Sequence, residues 1–185
     1  ERRGAGCGFR HRGRGGLTGA GAMTKEEIVV MPSKRMPPPR GTVADMLKLK
    51  GSEVHGIAPD ATVYEAVERM EARRVGALVV QDADALVGIV SERDYTRKVI
   101  LHGRASRETH VREIMTPDVF TVTPSTSLGD CLRVVSDHRV RHLPVVHEGK
   151  VVGVLSVGDL VRAVLDQQAE QIEVLNTYIK SDYPN

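Results

Sequence analysis

The sequence predicts an α+β fold (α/β in its broad make-up) of two β-α-β-β-α repeats. The repeats pack sheet to sheet about a pseudo-two-fold axis. Three observations predict it. Residues 59–95 fall on residues 124–160 at a shift of 65 positions without a gap. Within each copy, helix-period apolar spacing alternates with short apolar runs of strand length. The chain is 41% hydrophobic but only 3% aromatic, without Trp, so its core is aliphatic.

Identities carry the repeat as well as pattern. Pro59 meets Pro124, Arg74 meets Arg139, Val75 meets Val140, Leu78 meets Leu143 and Val80 meets Val145. Val87-Gly88 meets Val152-Gly153, Ser91 meets Ser156 and Asp94 meets Asp159. A weaker match, at an offset of 68, sets Thr42–Leu47 against His110–Met115. One copy has too few elements to cover both faces of its sheet; two copies packed together remove that defect.

The elements follow in order. Residues 1–22 are rich in Gly and Arg and carry a net charge of +4, which leaves the remainder near neutrality at −2. This leader reads as a disordered tail, as an organelle-targeting segment, or as sequence ahead of a start at Met23. Residues 31–41 hold four prolines and read as a semi-rigid linker. Ordered structure is expected from about Thr42. The predicted strand Val54–Ala58 precedes a helix with Val63, Ala66, Val67 and Met70 on one face. Thr62 with Glu65 forms its N-terminal cap. Strands Ala77–Gln81 and Leu86–Ser91 flank a turn, and a helix at Arg93–Leu101 closes the unit. The second copy reads as strand Val119–Thr123, then a helix with Leu128, Cys131, Leu132 and Val135 behind a Ser127–Asp130 cap. Strands Leu143–His147 and Val151–Ser156 follow, turning at Glu148-Gly149, and a helix runs from Gly158. The predicted organisation is residues 1–41 as disordered leader and linker, 42–105 and 106–166 as the repeats, and 167–185 as a helical extension.

The runs Gly88-Ile-Val-Ser91-Glu-Arg-Asp94 and Gly153-Val-Leu-Ser156-Val-Gly-Asp159, with Arg141-His-Leu-Pro-Val145, resemble the CBS domain family. The resemblance covers roughly residues 42–166. Ser91–Lys98 and Asn176–Ile179 are similar to stand-alone bacterial and plant-organelle CBS pairs. The resemblance implies a regulatory module that binds an adenine nucleotide between its repeats and signals through conformation or dimer state. The implied ligands are AMP, ADP, ATP or NAD, with S-adenosylmethionine behind them; no cofactor is required. A homodimer and an unidentified effector protein are the implied partners. The alternative is a constitutive regulatory or scaffolding subunit with vestigial clefts.

The motif also has a direct physical reading. A strand ends at Ser91 or Ser156, and a helix begins within a few residues. Free backbone N–H groups there attract phosphate, and a Ser hydroxyl adds a hydrogen bond. Asp94 and Asp159 fall in the first helical turn, where a carboxylate suits paired ribose hydroxyls or simply caps the helix. The repeats differ at Arg141-His142, which stand where the first copy has Gly76-Ala77. The resemblance implies that these two face the ligand whose ribose Asp94 holds, leaving the Asp159 cleft poorer in phosphate contacts. Arg93 and Arg97 are further phosphate candidates, or partners of nearby acids. Adenine slots are expected among Val54–Ala58, Val119–Val122 and the surroundings of Leu78 and Leu143.

Other function classes lack their signatures. The histidines are scattered and no C-x-x-C occurs, so no metal site is expected. No nucleophile elbow, Walker A loop or dinucleotide fingerprint appears, so no catalytic residues are assigned and the chain is not expected to be an enzyme. The near-neutral body gives no reason to expect DNA binding. No apolar run approaches the ~18 residues of a membrane span. Cys7 and Cys131 suggest no disulfide framework, which favours a reducing compartment; the expected location is cytoplasmic, with organelle targeting by the leader as the alternative. From Leu160 to Ile179 an apolar stripe continues past the repeat and is expected to pack across a homodimer, or on its own repeat.

Overall fold

The computed structural model describes residues 38–182, with side chains to residue 178. The leader, most of the linker and Cys7 lie outside the described residues. The element order is α1 (Val43–Lys50), β1 (Gly56–Ile57), α2 (Val63–Arg73), β2 (Ala77–Asp82), β3 (Ala85–Ser91), α3 (Glu92–Lys98), α4 (Leu128–His138), β4 (His142–His147), β5 (Lys150–Ser156) and α5 (Val157–Asp182). Short 3-10 turns lie at Ile100–His102 and Val111–Glu113.

Helix starts are fixed by local chemistry. The Thr42, Thr62 and Ser91 side chains each accept from the backbone N–H three residues on, and an acid there accepts in return. Such reciprocal caps satisfy two donors that a helix start leaves unpaired. Both αβ junctions end on arginine in the left-handed region, Arg74 at φ 53° and Arg139 at φ 54°. The β4–β5 turn places Glu148 at φ 49° and Gly149 at φ 77°, the sign pattern of a tight hairpin turn.

The two sheets repeat each other in detail. β2 pairs antiparallel with β3, with a break in register after Val80. β4 pairs antiparallel with β5, with the corresponding break after Val145. The strand expected at Val54–Ala58 shortens to Gly56–Ile57, which runs parallel to β2. The one expected at Val119–Thr123 reduces to a single parallel bridge from Val122 to Val145. Both are edge segments that meet a proline soon afterwards, at Pro59 and Pro124, and proline cannot donate to a ladder.

Core membership does not follow sequence order. α1 precedes the first repeat in the chain, yet Val43 is buried with Val122, Leu128, Cys131, Leu143, Val145, Leu155 and Leu160 of the second. Its backbone is tied there too: Val43 N–H donates to the Thr126 carbonyl and Ala44 N–H to that of Pro124, each at 2.9 Å. Conversely, Val111 and Ile114 are buried with Ile57, Val63, Met70, Leu78 and Val90 of the first repeat. There Val111 N–H donates to the Ala61 carbonyl and Arg112 N–H to that of Pro59. The repeats therefore trade their leading segments. Two glycines make room for the trade. A Cβ on Gly153 would lie 2.7 Å from Leu47, and one on Gly88 would lie 2.8 Å from the Met115 sulfur.

α5 packs on its own repeat only near its start, where Leu160 is fully buried. Farther along, Leu165, Ile172, Val174, Leu175 and Tyr178 are exposed in the single chain. Among the described residues, no helix is long and apolar enough to cross a membrane.

Candidate functional site

The end of β3 and the start of α3 form one wall of a cleft between the repeats. The other wall is the segment from Thr116 to Phe120 with the turn from Arg139 to His142. Ile89, Ser91, Arg93 and Asp94 face Thr116, Asp118, Val119, Phe120, Arg139, Val140, Arg141 and His142 across about 170 Å³. That volume is below the ~300–1,000 Å³ usual for ligand pockets. Arg139, Arg141 and Phe120 are exposed at its rim.

Asp94 sits at the bottom of the α3 cap. Its Oδ2 accepts from Ser91 N–H at 3.1 Å and from the Ser91 hydroxyl at 2.6 Å. Its Oδ1 pairs with Lys98 Nζ at 2.9 Å, and Lys98 also donates to the Ile114 carbonyl. Capping and ligand binding are thus compatible: a carboxylate has about four acceptor positions, and three are used.

Positive charge gathers around it from both walls. Arg97 and Arg141 crowd Arg93 and hold its guanidinium below its ordinary pKa. Ion pairs among the described residues include none of Arg93, Arg97, Arg139 or Arg141. Unpaired guanidiniums forced together favour an anion between them, and phosphate matches their fork geometry. Phe120 stacks on His138 with ring centroids 4.1 Å apart, which presents an aromatic face at the cleft.

His142 lies between the two halves. Its Nε2 would be 3.8 Å from a Cβ at Gly76, so the imidazole fills the gap that the first repeat's glycine leaves. Burial lowers its pKa below 6.5, helped by Arg141 and Lys50 and opposed by Asp159 and Asp94. A His with a folded pKa below its unfolded value contributes stability that is fully present above the unfolded value. That contribution is lost as pH falls through the folded value. The thermal midpoint is therefore expected to fall as pH drops below the ordinary imidazole value of about 6.5, and to fall less in His142→Gln. Equal slopes for the two proteins in a pH series of melts would refute this.

The predicted residues divide between places. Ser91, Arg93, Asp94, Arg141 and His142 meet at one cleft. Arg97 lies close enough to Arg93 to act on its charge but is not part of the lining. Ser156 and Asp159 cap α5, with Ser156 N–H donating to Asp159 Oδ2 at 2.7 Å. Lys50 Nζ lies 2.6 Å from the same oxygen. Burial raises the Asp159 pKa, but the hydrogen bonds from Lys50 and Ser156 outweigh it and hold the carboxyl below its ordinary range. Leu78 and Leu143, expected beside a base slot, are almost fully buried and belong to the two cores. Val119 and Phe120, within the Val119–Val122 segment expected to offer a base slot, do line the cleft. Sequence reasoning did not single out Thr116, Asp118 or Arg139 as site residues.

The fold and the cleft define a two-repeat regulatory module with a cavity between the repeats. The family model for the CBS domain matches residues 44–100 and 111–166, and the chain belongs to that family. It is 42% identical over 151 residues to the CBS domain-containing protein CBSX3, mitochondrial, of Arabidopsis thaliana, covering 77% of this chain and 73% of the relative. A solved CBS-domain containing protein from Agrobacterium tumefaciens superposes with a TM-score of 0.63 at 35% identity, covering 66% of this chain and 92% of the other. A hexameric CBS-CP12 protein from bloom-forming cyanobacteria gives a TM-score of 0.59 at 27% identity, covering 66% and 70%. Oligomeric assembly thus occurs among structures of this type.

Proposed function

We propose that the chain is a regulatory sensor that binds an adenine nucleotide in the Asp94 cleft. The observation that carries this reading is the pairing of one carboxylate with several unpaired guanidiniums across a gap between repeats. Asp94 would take the ribose hydroxyls. Arg93, Arg139 and Arg141 would hold phosphate, and Phe120 or Val119 would lie against the base. AMP, ADP, ATP and NAD all contain this set of groups; S-adenosylmethionine lacks the phosphate and is disfavoured. Signalling needs a ligand that prefers one state over another. The lining is contributed by both repeats, so ligand would bias how they close. The exposed stripe of α5 supports self-association as the output, with an effector protein as a further partner. The chain itself would do no catalysis. The mitochondrial relative supports carrying organelle targeting forward beside the cytoplasmic reading.

The small cavity favours a second reading, a constitutive regulatory subunit with vestigial clefts. A thermal-shift series with AMP, ADP, ATP, NAD and S-adenosylmethionine separates the two. A true ligand at 100 times its Kd stabilises by about 2.7 kcal/mol, or roughly 5–10 °C for a chain of this size. Midpoints unchanged by every nucleotide at millimolar concentration would sink the sensor reading. Sedimentation of the same samples reports whether ligand alters self-association.

A further inference from the structure

The repeat relation maps each wall of the Asp94 cleft onto a counterpart around Asp159. Ile89 corresponds to Val154, Ser91 to Ser156 and Asp94 to Asp159. At the offset of the exchanged segments, Asp118 corresponds to Lys50. Asp118 lines the first cleft. Its counterpart Lys50 places Nζ 2.6 Å from Asp159 Oδ2 and 2.7 Å from the Val154 carbonyl oxygen. In the first cleft, the carbonyl of Ile89 instead accepts from Thr116 N–H at 2.8 Å, and Asp94 pairs with Lys98 of its own helix. An acid beside the first carboxylate has therefore become a cation seated on the second.

We propose that Lys50 is a built-in occupant of the Asp159 cleft, which makes that cleft a latent nucleoside site closed by the chain's own ammonium group. The ammonium does there what a ribose diol would do: it donates to the carboxylate. Asp94 also carries a lysine, but Lys98 comes from its own helix and is outside the cleft lining. Lys50 instead reaches Asp159 from the position that corresponds to the lining residue Asp118, so a nucleoside must displace its ammonium and break that ion pair. The pair is only partly exposed, with side-chain accessibilities of 30% and 25%, so water screens it incompletely. The first repeat presents Gly76-Ala77 where the second presents Arg141-His142, so the facing turn supplies no cation in exchange. Arg40 and Arg162 line the α1–α5 side of the pair, beside Asp45 and Asp166. Lys50 also rides on the exchanged helix α1, so its position reports how that helix sits on the second repeat.

This inference rests on the proposed nucleotide binding at Asp94, and equilibrium dialysis with AMP separates the two. The wild-type chain is expected to bind one AMP. Lys50→Met, which keeps the length of the stem but removes the charge, is expected to bind a second one, at least about tenfold more weakly than the first. Adding Asp159→Ala to Lys50→Met is expected to return the count to one. Lys50→Gln serves as an independent variant should Lys50→Met not fold, with the same second site expected. One AMP per chain in the wild type and in the folded Lys50 variants would overturn the role of Lys50 and leave the Asp94 reading standing. Two AMP per wild-type chain would overturn it in the same way. No AMP bound by the wild type and the variants would overturn both.

Discussion

Asp94→Ala is expected to lower AMP affinity about 100-fold or more, while Asp159→Ala leaves it within about twofold. The estimate follows from two hydrogen bonds to a charged acceptor, each contributing about 1.5–3 kcal/mol, where ~2.7 kcal/mol is already 100-fold. The asymmetry has a structural origin. Asp94 shares its wall with Arg93 and faces Arg139 and Arg141, and its own ion pair is to Lys98, which is not part of the lining. Asp159, by contrast, is held by Lys50 from the facing segment. Asp94 also caps α3, so its loss costs about 1 kcal/mol of stability whether or not ligand binds. Asp94→Asn controls for this, since the amide oxygen still accepts from Ser91. It is expected to retain most of the melting temperature and to lose most of the affinity. Isothermal titration reads the affinities, and equal losses at Asp94 and Asp159 would refute the unequal clefts.

The second large effect is on folding. Gly88→Ala is expected to destabilise the chain by about 2–3 kcal/mol and to lower its thermal midpoint by roughly 5–10 °C. The new methyl would meet the Met115 sulfur at 2.8 Å and, more seriously, the backbone oxygen of Thr116 at 3.0 Å. That oxygen cannot retreat easily, because Thr116 exchanges two backbone hydrogen bonds with Ile89, at 2.8 and 3.0 Å. Gly153→Ala meets only the end of the Leu47 side chain, which can change rotamer, so about 1 kcal/mol is expected there. Gly149 gives no comparison, since its positive φ penalises any side chain even in open space. Thermal melts of both variants measure the order, and a Gly153→Ala loss exceeding that of Gly88→Ala would contradict the picture.

The sequence disclosed most where the cause is local. The caps at Thr62 and Ser91 depend on residues three apart, and the helices begin where those pairs stand. The hairpin at Glu148-Gly149 is likewise a matter of neighbouring φ angles. Fold class followed from the repeat, because two copies with the same pattern must make the same elements. Exchange of the leading segments was harder to see. Its trace was the change of offset from 65 to 68, which marks Thr42–Leu47 as a unit separate from the repeat behind it. Nothing local says which core that unit joins. The candidate site divides in the same way. Ser91 and Asp94 are legible as a motif, and Arg141-His142 as a difference between copies. Asp118 and Arg139 reach the cleft only through contacts made across the pseudo-axis. Lys50 on Asp159 spans 109 residues of chain, and no spacing rule announces it.

The traded segments bear on how such a chain could have arisen. A half-length ancestor with one leading segment and one core could build this arrangement by lending its segment to a second copy. It would have been an obligate swapped dimer, its folding bimolecular and dependent on concentration. Fusing two copies makes the loan internal, and assembly becomes a property of the single molecule. Fusion also ends the symmetry that identical subunits impose. Each half is then at liberty to drift, and an arginine and a histidine in one half can stand opposite a glycine and an alanine in the other.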